Sequence, residues 1–331
     1  MHGSRTRFEP SRLPPDCACR GSGQTIGCVG CYGQPMSDAR PIGLFDSGIG
    51  GLSVLREVQA RLPAESTVYI GDSARHPYGT RSDAEVRTFA EELSDELVAR
   101  GVKAMIIACN TATAVALEHL RERHPTTPII GVIRPGAAAA ALATRTGRVG
   151  VLATVATVRS RAYFAAIKDE NPGTWVIERA ASELVPLIES GLTDTQEMSD
   201  AVHRAVDPFL TGDPNARIDT LLLGCTHFPL IRGAIDAALG APIAVVDSAA
   251  ATASFLQEII AVNGLEAPGS SRGTAADPGH RGHSAPASAP VAPTHRIFTT
   301  GDPVVVDELA GRLFGETAPG SEQIVLGSMR R

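Results

Sequence analysis

Short runs of branched aliphatic residues recur along this chain, each closed by a small or polar turn and followed by a longer helix-like stretch. The runs are Ile42 to Phe45, Thr67 to Ile70, Ala104 to Ala108, Ile129 to Ile133, Val149 to Ala153, Leu221 to Leu223 and Ile243 to Val246. Between them lie Leu52 to Leu62, Ala84 to Arg100, Thr113 to Arg123, Val158 to Ala166, Ser182 to Ser190, Thr195 to Leu210, Ile231 to Leu239 and Ala249 to Val262. A strand that is apolar throughout needs cover on both faces, which helices supply in a parallel sheet. The alternation therefore predicts βαβ units and an α/β fold. At least seven strands are too many for one ordinary sheet, so two α/β lobes are expected.

Two segments break the rhythm. Residues 1–40 are rich in Gly, Pro, Arg and Cys without any period, and read as a disordered extension. Met36, just ahead of Pro41-Ile-Gly-Leu-Phe45, is a candidate native first residue. Residues 266–294, dominated by Pro, Ala, Ser and Gly, read as a disordered surface insertion. Beyond it, Arg296 to Asp302 has the pattern of a last strand and turn, with a helix after it.

The net charge of −6 argues against nucleic acid or an anionic membrane as an obligate partner, because such binders concentrate Lys and Arg. No apolar run approaches the ~18 residues of a membrane span. The first residues lack the apolar core of a secretory signal, which places the chain in the cytoplasm.

Cysteine use is uneven. Of six, Cys17, Cys19, Cys28 and Cys31 crowd the extension, where a small zinc knuckle is conceivable, and only Cys109 and Cys225 fall in the body. These two share a local setting. Cys109 follows Ala104-Met-Ile-Ile-Ala108 and precedes Asn110-Thr111 and a helix; Cys225 follows Leu221-Leu-Leu-Gly224 and precedes Thr226-His227 and a helix. Both therefore sit at the carboxyl end of a strand and at a helix N-terminus, where open α/β sheets bind ligands and where thiolates are favoured. One such cysteine would read as an ordinary buried residue. Two in repeated settings, one per lobe, suggest thiols facing each other across a shared cleft. One cysteine with a nearby histidine suits nucleophilic acyl transfer. Two on opposite faces of a carbon suit removal of a proton on one side and delivery on the other, without a cofactor.

Other polar clusters are compatible with that chemistry. Asp46-Ser47-Gly48-Ile49-Gly50-Gly51 lacks the glycine spacing of a dinucleotide fingerprint, so NAD is not expected. Asp46 could meet an ammonium group, steer a cysteine or simply cap a helix. Gly71 to Gly79 is a loop whose backbone N–H groups and Tyr78 phenol could face a carboxylate. His227 could carry protons, and Cys225-x-His227 has no further zinc-spaced ligands in the body, so no metal is expected. Glu189 reads by default as a solvated helix residue.

Gly43-Leu-Phe-Asp-Ser-Gly-Ile-Gly-Gly-Leu-Ser-Val54, Tyr69-Ile-Gly-Asp72, Pro77-Tyr-Gly79, Ala108-Cys-Asn-Thr-Ala112 and Leu223-Gly-Cys-Thr-His-Phe-Pro-Leu230 resemble the signature blocks of the glutamate racemases, in the cofactor-independent aspartate/glutamate racemase family. Gly131 to Gly136, Val246 to Ala249 and Thr300 to Asp302 resemble further family segments in the same order. The resemblance spans about residues 41–265 and 295–318. It implies two pseudo-symmetric lobes with mostly parallel sheets, residues 41–133 plus 245–331 forming one and 134–244 the other, and an active site in the cleft between them. It implies interconversion of L- and D-glutamate, no cofactor, a homodimer, and D-glutamate supplied for peptidoglycan; aspartate is the nearest alternative substrate. On the same basis Cys109 and Cys225 would be the catalytic thiols, with Asp46, His227 and Glu189 assisting. Asp46, Ser47, Tyr78, Gly79, Asn110, Thr111, Thr226 and His227 would hold the substrate. The chain departs from the family at Ala181-Ser182-Glu183, where Ala-Cys-Pro is frequent, and at Phe228, where Tyr is commoner.

Overall fold

A computed structural model describes residues 37–211, 217–240, 242–269 and 292–330. The strands are β1 (Ile42–Asp46), β2 (Thr67–Gly71), β3 (Ala104–Ile107), β4 (Ile129–Gly131), β5 (Arg148–Ala153), β6 (Trp175–Ala180), β7 (Thr220–Gly224), β8 (Ala244–Asp247), β9 (His295–Thr299) and β10 (Ser321–Gln323). They form two sheets, ordered β10-β9-β2-β1-β3-β4 and β6-β5-β7-β8, and every strand pair is parallel. Within the first, the run β2-β1-β3-β4 has the same order as the whole of the second. The chain builds one strand order twice.

The helices are α1 (Leu52–Arg61), α2 (Asp83–Ala99), α3 (Asn110–Arg123), α4 (Ile133–Ala143), α5 (Val155–Ser160) and α6 (Ala162–Glu170). They continue with α7 (Leu184–Glu189), α8 (Gln196–Leu210), α9 (Arg232–Leu239), α10 (Ser248–Val262) and α11 (Pro303–Phe314). Strand alternation feeds both faces of each sheet. Ile42 and Leu44 of β1 pack with Leu52, Leu55 and Val58 of α1 and Leu256 of α10, while Phe45 faces Val86, Leu93 and Leu97 of α2. In the second sheet Leu221 and Leu223 meet Val202 and Val206 of α8, whereas Leu222 meets Ala137 of α4 and Ile167 of α6. Full burial of each such aliphatic side chain contributes about 1.5–3 kcal/mol, which fixes sheet and helix in register. The same alternation continues past the strand ends: Cys109 falls in step with Met105 and Ile107, and Cys225 in step with Leu221 and Leu223.

Some elements differ from the sequence expectation. The second sheet runs to Asp247, past the expected lobe boundary at 244. β6 and β10 were not anticipated, because both are edge strands with mostly exposed or half-exposed side chains and no continuous apolar run. The stretch expected as one helix over Val158 to Ala166 is broken at Arg161, whose φ of 58° places it in the left-handed region and separates α5 from α6. Helix α4 begins where a strand was expected to end, with Pro135 in its first turn, a position whose N–H needs no helical partner.

The extension expected over 1–40 lies outside the described residues as far as 36, as do its four cysteines, and so does the insertion expected over 266–294 between 270 and 291. Asp38 is tied to the body: its N–H donates to the Glu266 carbonyl (2.9 Å), and its carbonyl accepts from Lys103 Nζ (2.7 Å). Lys103 is itself buried in an ion pair with Glu65 (2.5 Å). Among the described residues no helix is long and apolar enough to cross a membrane.

Candidate active site

Cys109 and Cys225 line one cavity of about 450 Å³, part of it open to solvent. Its wall also receives Ser47 after β1, Thr154 after β5, and the loop from His76 to Thr80. β1 and β5 occupy the same place in their sheets, as do β3 and β7, so the carboxyl ends of equivalent strands supply both sides.

Cys109 is the N-cap of α3. Its Sγ accepts from the Ala112 N–H (3.4 Å) and donates to Ser47 Oγ (3.6 Å). Burial nevertheless pushes the thiol up to about 12, and the nearby Asp46 carboxylate adds to the rise. Cys225 Sγ lies 3.8 Å from His227 Nδ1. Burial raises this thiol as well; the His227 backbone N–H opposes the rise, while Cys109, Asp46 and Glu189 reinforce it. Both groups are therefore held as thiols, and ionising either requires added positive charge or new donors.

His227 is almost wholly buried and reaches Glu189 Oε1 from Nε2 (2.9 Å). Glu189 closes α7, and its other oxygen lies 3.0 Å from His76 Nε2. Burial disfavours the charge on Glu189, but hydrogen bonds from His227 and His76 outweigh it and hold the carboxyl down at about 2. The default reading of Glu189 as a solvated helix residue is thus replaced: the fold turns the helix end inward, onto two imidazoles. The histidine rings are 5.6 Å apart. Since Nε2 of His227 is engaged by Glu189, its Nδ1 is the nitrogen that faces Cys225. Gly50 permits this approach, because a Cβ there would stand 2.5 Å from His227 Nδ1 and 2.6 Å from Thr226 Oγ1.

The remaining expected residues fall in three positions. Ser47, Asn110, Thr111, Thr226 and Gly79 line the cavity. Asn110 Oδ1 accepts from the Tyr163 hydroxyl (2.6 Å), which fixes the amide and leaves Nδ2 buried without a partner. Thr111 shares its hydroxyl with Thr154 (3.1 Å) and Thr157 (3.3 Å). Asp46 is fully buried behind this wall, its carboxylate accepting from the N–H groups of Gly48 (3.1 Å) and Gly51 (3.2 Å) and from Thr226 Oγ1 (3.5 Å). Tyr78 lines the cavity, but its hydroxyl donates to Asp72; the phenol expected to face a ligand carboxylate is committed to one of the protein's own.

Sequence reasoning passed over His76, Thr154 and Ser182. Ser182, at the departure Ala181-Ser182-Glu183, lines the cavity and accepts from the Val155 N–H (2.9 Å). His76 stood inside a loop read only for its turns, and no spacing in the chain connects it to Glu189. Among the described residues, His76, Glu189 and His227 are the group whose donor atoms converge, all within 4.8 Å of one another.

The geometry is matched by similarity to known proteins. Residues 43–256 match the Asp/Glu/Hydantoin racemase family. A glutamate racemase from Geobacter metallireducens is 46% identical over 234 residues, covering 71% of this chain and 85% of the relative. The solved structure of a glutamate racemase isoform from Bacillus anthracis superposes with a TM-score of 0.76 at 36% identity, over 86% of this chain and 97% of the other. That of the Francisella tularensis glutamate racemase, in complex with D-glutamate, gives 0.74 at 30% identity, over 88% and 99%. The chain belongs to the Asp/Glu/Hydantoin racemase family.

Proposed function

We propose that this chain is an isomerase that interconverts L- and D-glutamate by two-thiol proton transfer at the α-carbon, without a cofactor, and so supplies D-glutamate for peptidoglycan. The observation that carries the reading is the placement of Cys109 and Cys225 after equivalent strands of two like-ordered sheets, on one cavity. The relatives' activity and the D-glutamate bound to one of them favour glutamate over the shorter aspartate.

In each turnover one cysteine is a thiolate and the other a thiol. The thiolate takes the Cα proton, leaving the electron pair on carbon delocalised toward the carboxylate. The opposite thiol then delivers its proton to the other face, so the two sulfurs exchange roles. Burial opposes the starting thiolate, which makes the substrate's ammonium part of the activation. At Cys225 the unprotonated His227 Nδ1 can accept the thiol proton, with Glu189 stabilising the resulting imidazolium. At Cys109 the hydroxyl of Ser47 and the N–H of Ala112 perform the supporting role. The free Asn110 Nδ2 and the N-terminal amides of α3 are suited to the α-carboxylate, where negative charge grows as the proton leaves. Ser47, Thr226 and the Tyr78-Gly79 backbone complete the substrate's surroundings.

The test is circular dichroism of purified enzyme with D- or L-glutamate and no added cofactor, with aspartate alongside. Glutamate should lose its signal from either side, and Cys109→Ser or Cys225→Ser should each abolish most of the turnover. Full activity in Cys225→Ser would defeat the two-thiol mechanism; turnover of aspartate alone would defeat the substrate.

A further inference from the structure

We propose that His76, Glu189 and His227 form a binding site for a divalent transition-metal ion of the zinc class, beside the two thiols, and that the bound ion inhibits the enzyme. The site is assembled from three distant parts of the chain: the loop after β2, the end of α7, and the turn after β7.

Its donor set is two imidazoles and one carboxylate, a combination suited to Zn²⁺, Co²⁺ or Ni²⁺ rather than to Mg²⁺ or Ca²⁺, which prefer oxygen alone. The donors already converge. His227 Nε2 and His76 Nε2 lie 2.9 and 3.0 Å from opposite oxygens of the same carboxylate, and all three donors fall within 4.8 Å. A tetrahedral ion with bonds of roughly 2.0–2.1 Å spaces its ligands about 3.4 Å apart, so adjustments of under an ångström at each side chain would admit one.

The surroundings leave room for it. His227 presents Nδ1 to Cys225, which frees Nε2 for the carboxylate side. A Cβ at Gly48 would stand 2.9 Å from His76 Nδ1 and 3.3 Å from Glu189 Oε1; glycine lets the His76 ring and the Glu189 carboxylate occupy this position. His76 and His227 line the cavity, so a fourth ligand, water or an anion, can arrive from it. The His76 and Glu189 side chains retain 12% and 24% of their exposure, which gives an ion a route in, while His227 at 2% forms the floor.

Inhibition follows from the same nitrogen. An ion on Nε2 of His227 takes the place of the proton shared with Glu189; that proton moves to Nδ1, the side that meets Cys225, and the ring stays neutral. That nitrogen then donates toward sulfur and can no longer accept from it. The inhibitory part rests on the racemase reading; ion binding does not.

The experiment is isothermal titration of the reduced, chelator-treated full-length chain with Zn²⁺, together with Co²⁺ absorption, on wild type, His76→Ala and Glu189→Gln. Cysteines can also bind these ions, so the site is read from the difference between wild type and variants. Wild type should bind one equivalent more than either variant, or bind it more tightly by more than the roughly 10–100-fold that losing an outer-shell partner costs. Zn²⁺ should inhibit wild type reversibly, with EDTA restoring turnover, and should inhibit His76→Ala only at higher concentration. Identical Zn²⁺ and Co²⁺ titrations for wild type and both folded variants would overturn the site. Loss of the extra equivalent in an enzyme that never racemised glutamate would leave the site standing and count against the function.

Discussion

Gly50→Ala places a single methyl group against the contact that supports Cys225. Gly50 is not among the glycines with positive φ, so the backbone tolerates alanine and only space is at issue. The new Cβ would meet His227 Nδ1 at 2.5 Å, Thr226 Oγ1 at 2.6 Å and His227 Cε1 at 2.7 Å, where ordinary contact begins at 3.4 Å. The imidazole must therefore retreat by 0.7–0.9 Å (3.4 less 2.7 and 3.4 less 2.5). It cannot do so freely, because Nε2 is tied to Glu189 at 2.9 Å. A misplacement near 1 Å costs about 10²-fold in rate, or roughly 2.7 kcal/mol on the barrier. Overpacking would also remove about 1–3 kcal/mol of stability. Initial rates by circular dichroism should fall by that factor starting from either enantiomer, since the proposed two-thiol mechanism uses both sulfurs in every turnover. Gly233→Ala, whose added Cβ meets nothing within 4 Å, should behave as wild type. A folded Gly50→Ala enzyme within threefold of wild-type kcat would refute the role given to His227.

Three further outcomes can be measured independently. Lys103→Met would strand the Glu65 carboxylate in the interior and cost about 3–5 kcal/mol in urea denaturation, while Lys103→Met with Glu65→Leu should recover most of it; equal stability for the two variants would contradict a buried pair. Because burial and then Asp46 raise Cys109, its protonated form contributes stability that is present below the ordinary thiol value of 9.0 and lost as pH climbs toward 12, and its alkylation by iodoacetamide in substrate-free enzyme should still be rising above pH 10, whereas a plateau near pH 9 would refute the shift. At Asp219 burial works against ionisation, yet bonds from Thr144, Thr146 and Arg145 hold the carboxyl down at about 2; this stability is present above the ordinary value of 3.8 and lost as pH falls toward 2. The group is half-buried at the surface, so Asp219→Asn should cost about 1 kcal/mol at pH 7 after allowance for screening, and a melting temperature equal to wild type would reject it.

Legibility in the sequence followed burial. β1, β3 and β7 are covered on both faces, so their apolar runs stood out, and the cysteines ending β3 and β7 could be placed at strand ends by counting. β6 and β10 lie at sheet edges, where solvent accepts Arg179 and Ala180 or Ser321 to Gln323 and the run disappears. Residues of one turn were readable together: Cys225 with His227, and Cys109 with Asn110 and Thr111. Contacts made only by folding were not. Nothing near Tyr163 indicates that it would orient Asn110, and nothing in the loop at His76 points to a carboxylate on α7. The motif containing Asp46 was visible; its burial behind Ser47, held by two backbone N–H groups, depends on how tightly the glycine turn folds over it.

The repeated strand order gives the two sulfurs equivalent stations, but the furnishings differ: a hydroxyl and a helix amide at Cys109, an imidazole–carboxylate pair at Cys225. Mirror-image glutamates have equal free energy in water, so thermodynamics forces kcat/KM to be the same in both directions whatever the side chains do. Unequal furnishing can express itself only as a trade, with the enantiomer held more tightly turned over more slowly. The two halves thus share one specificity constant yet saturate at different concentrations. In a mixture, the more tightly held antipode occupies the cavity first and sets the pace for both.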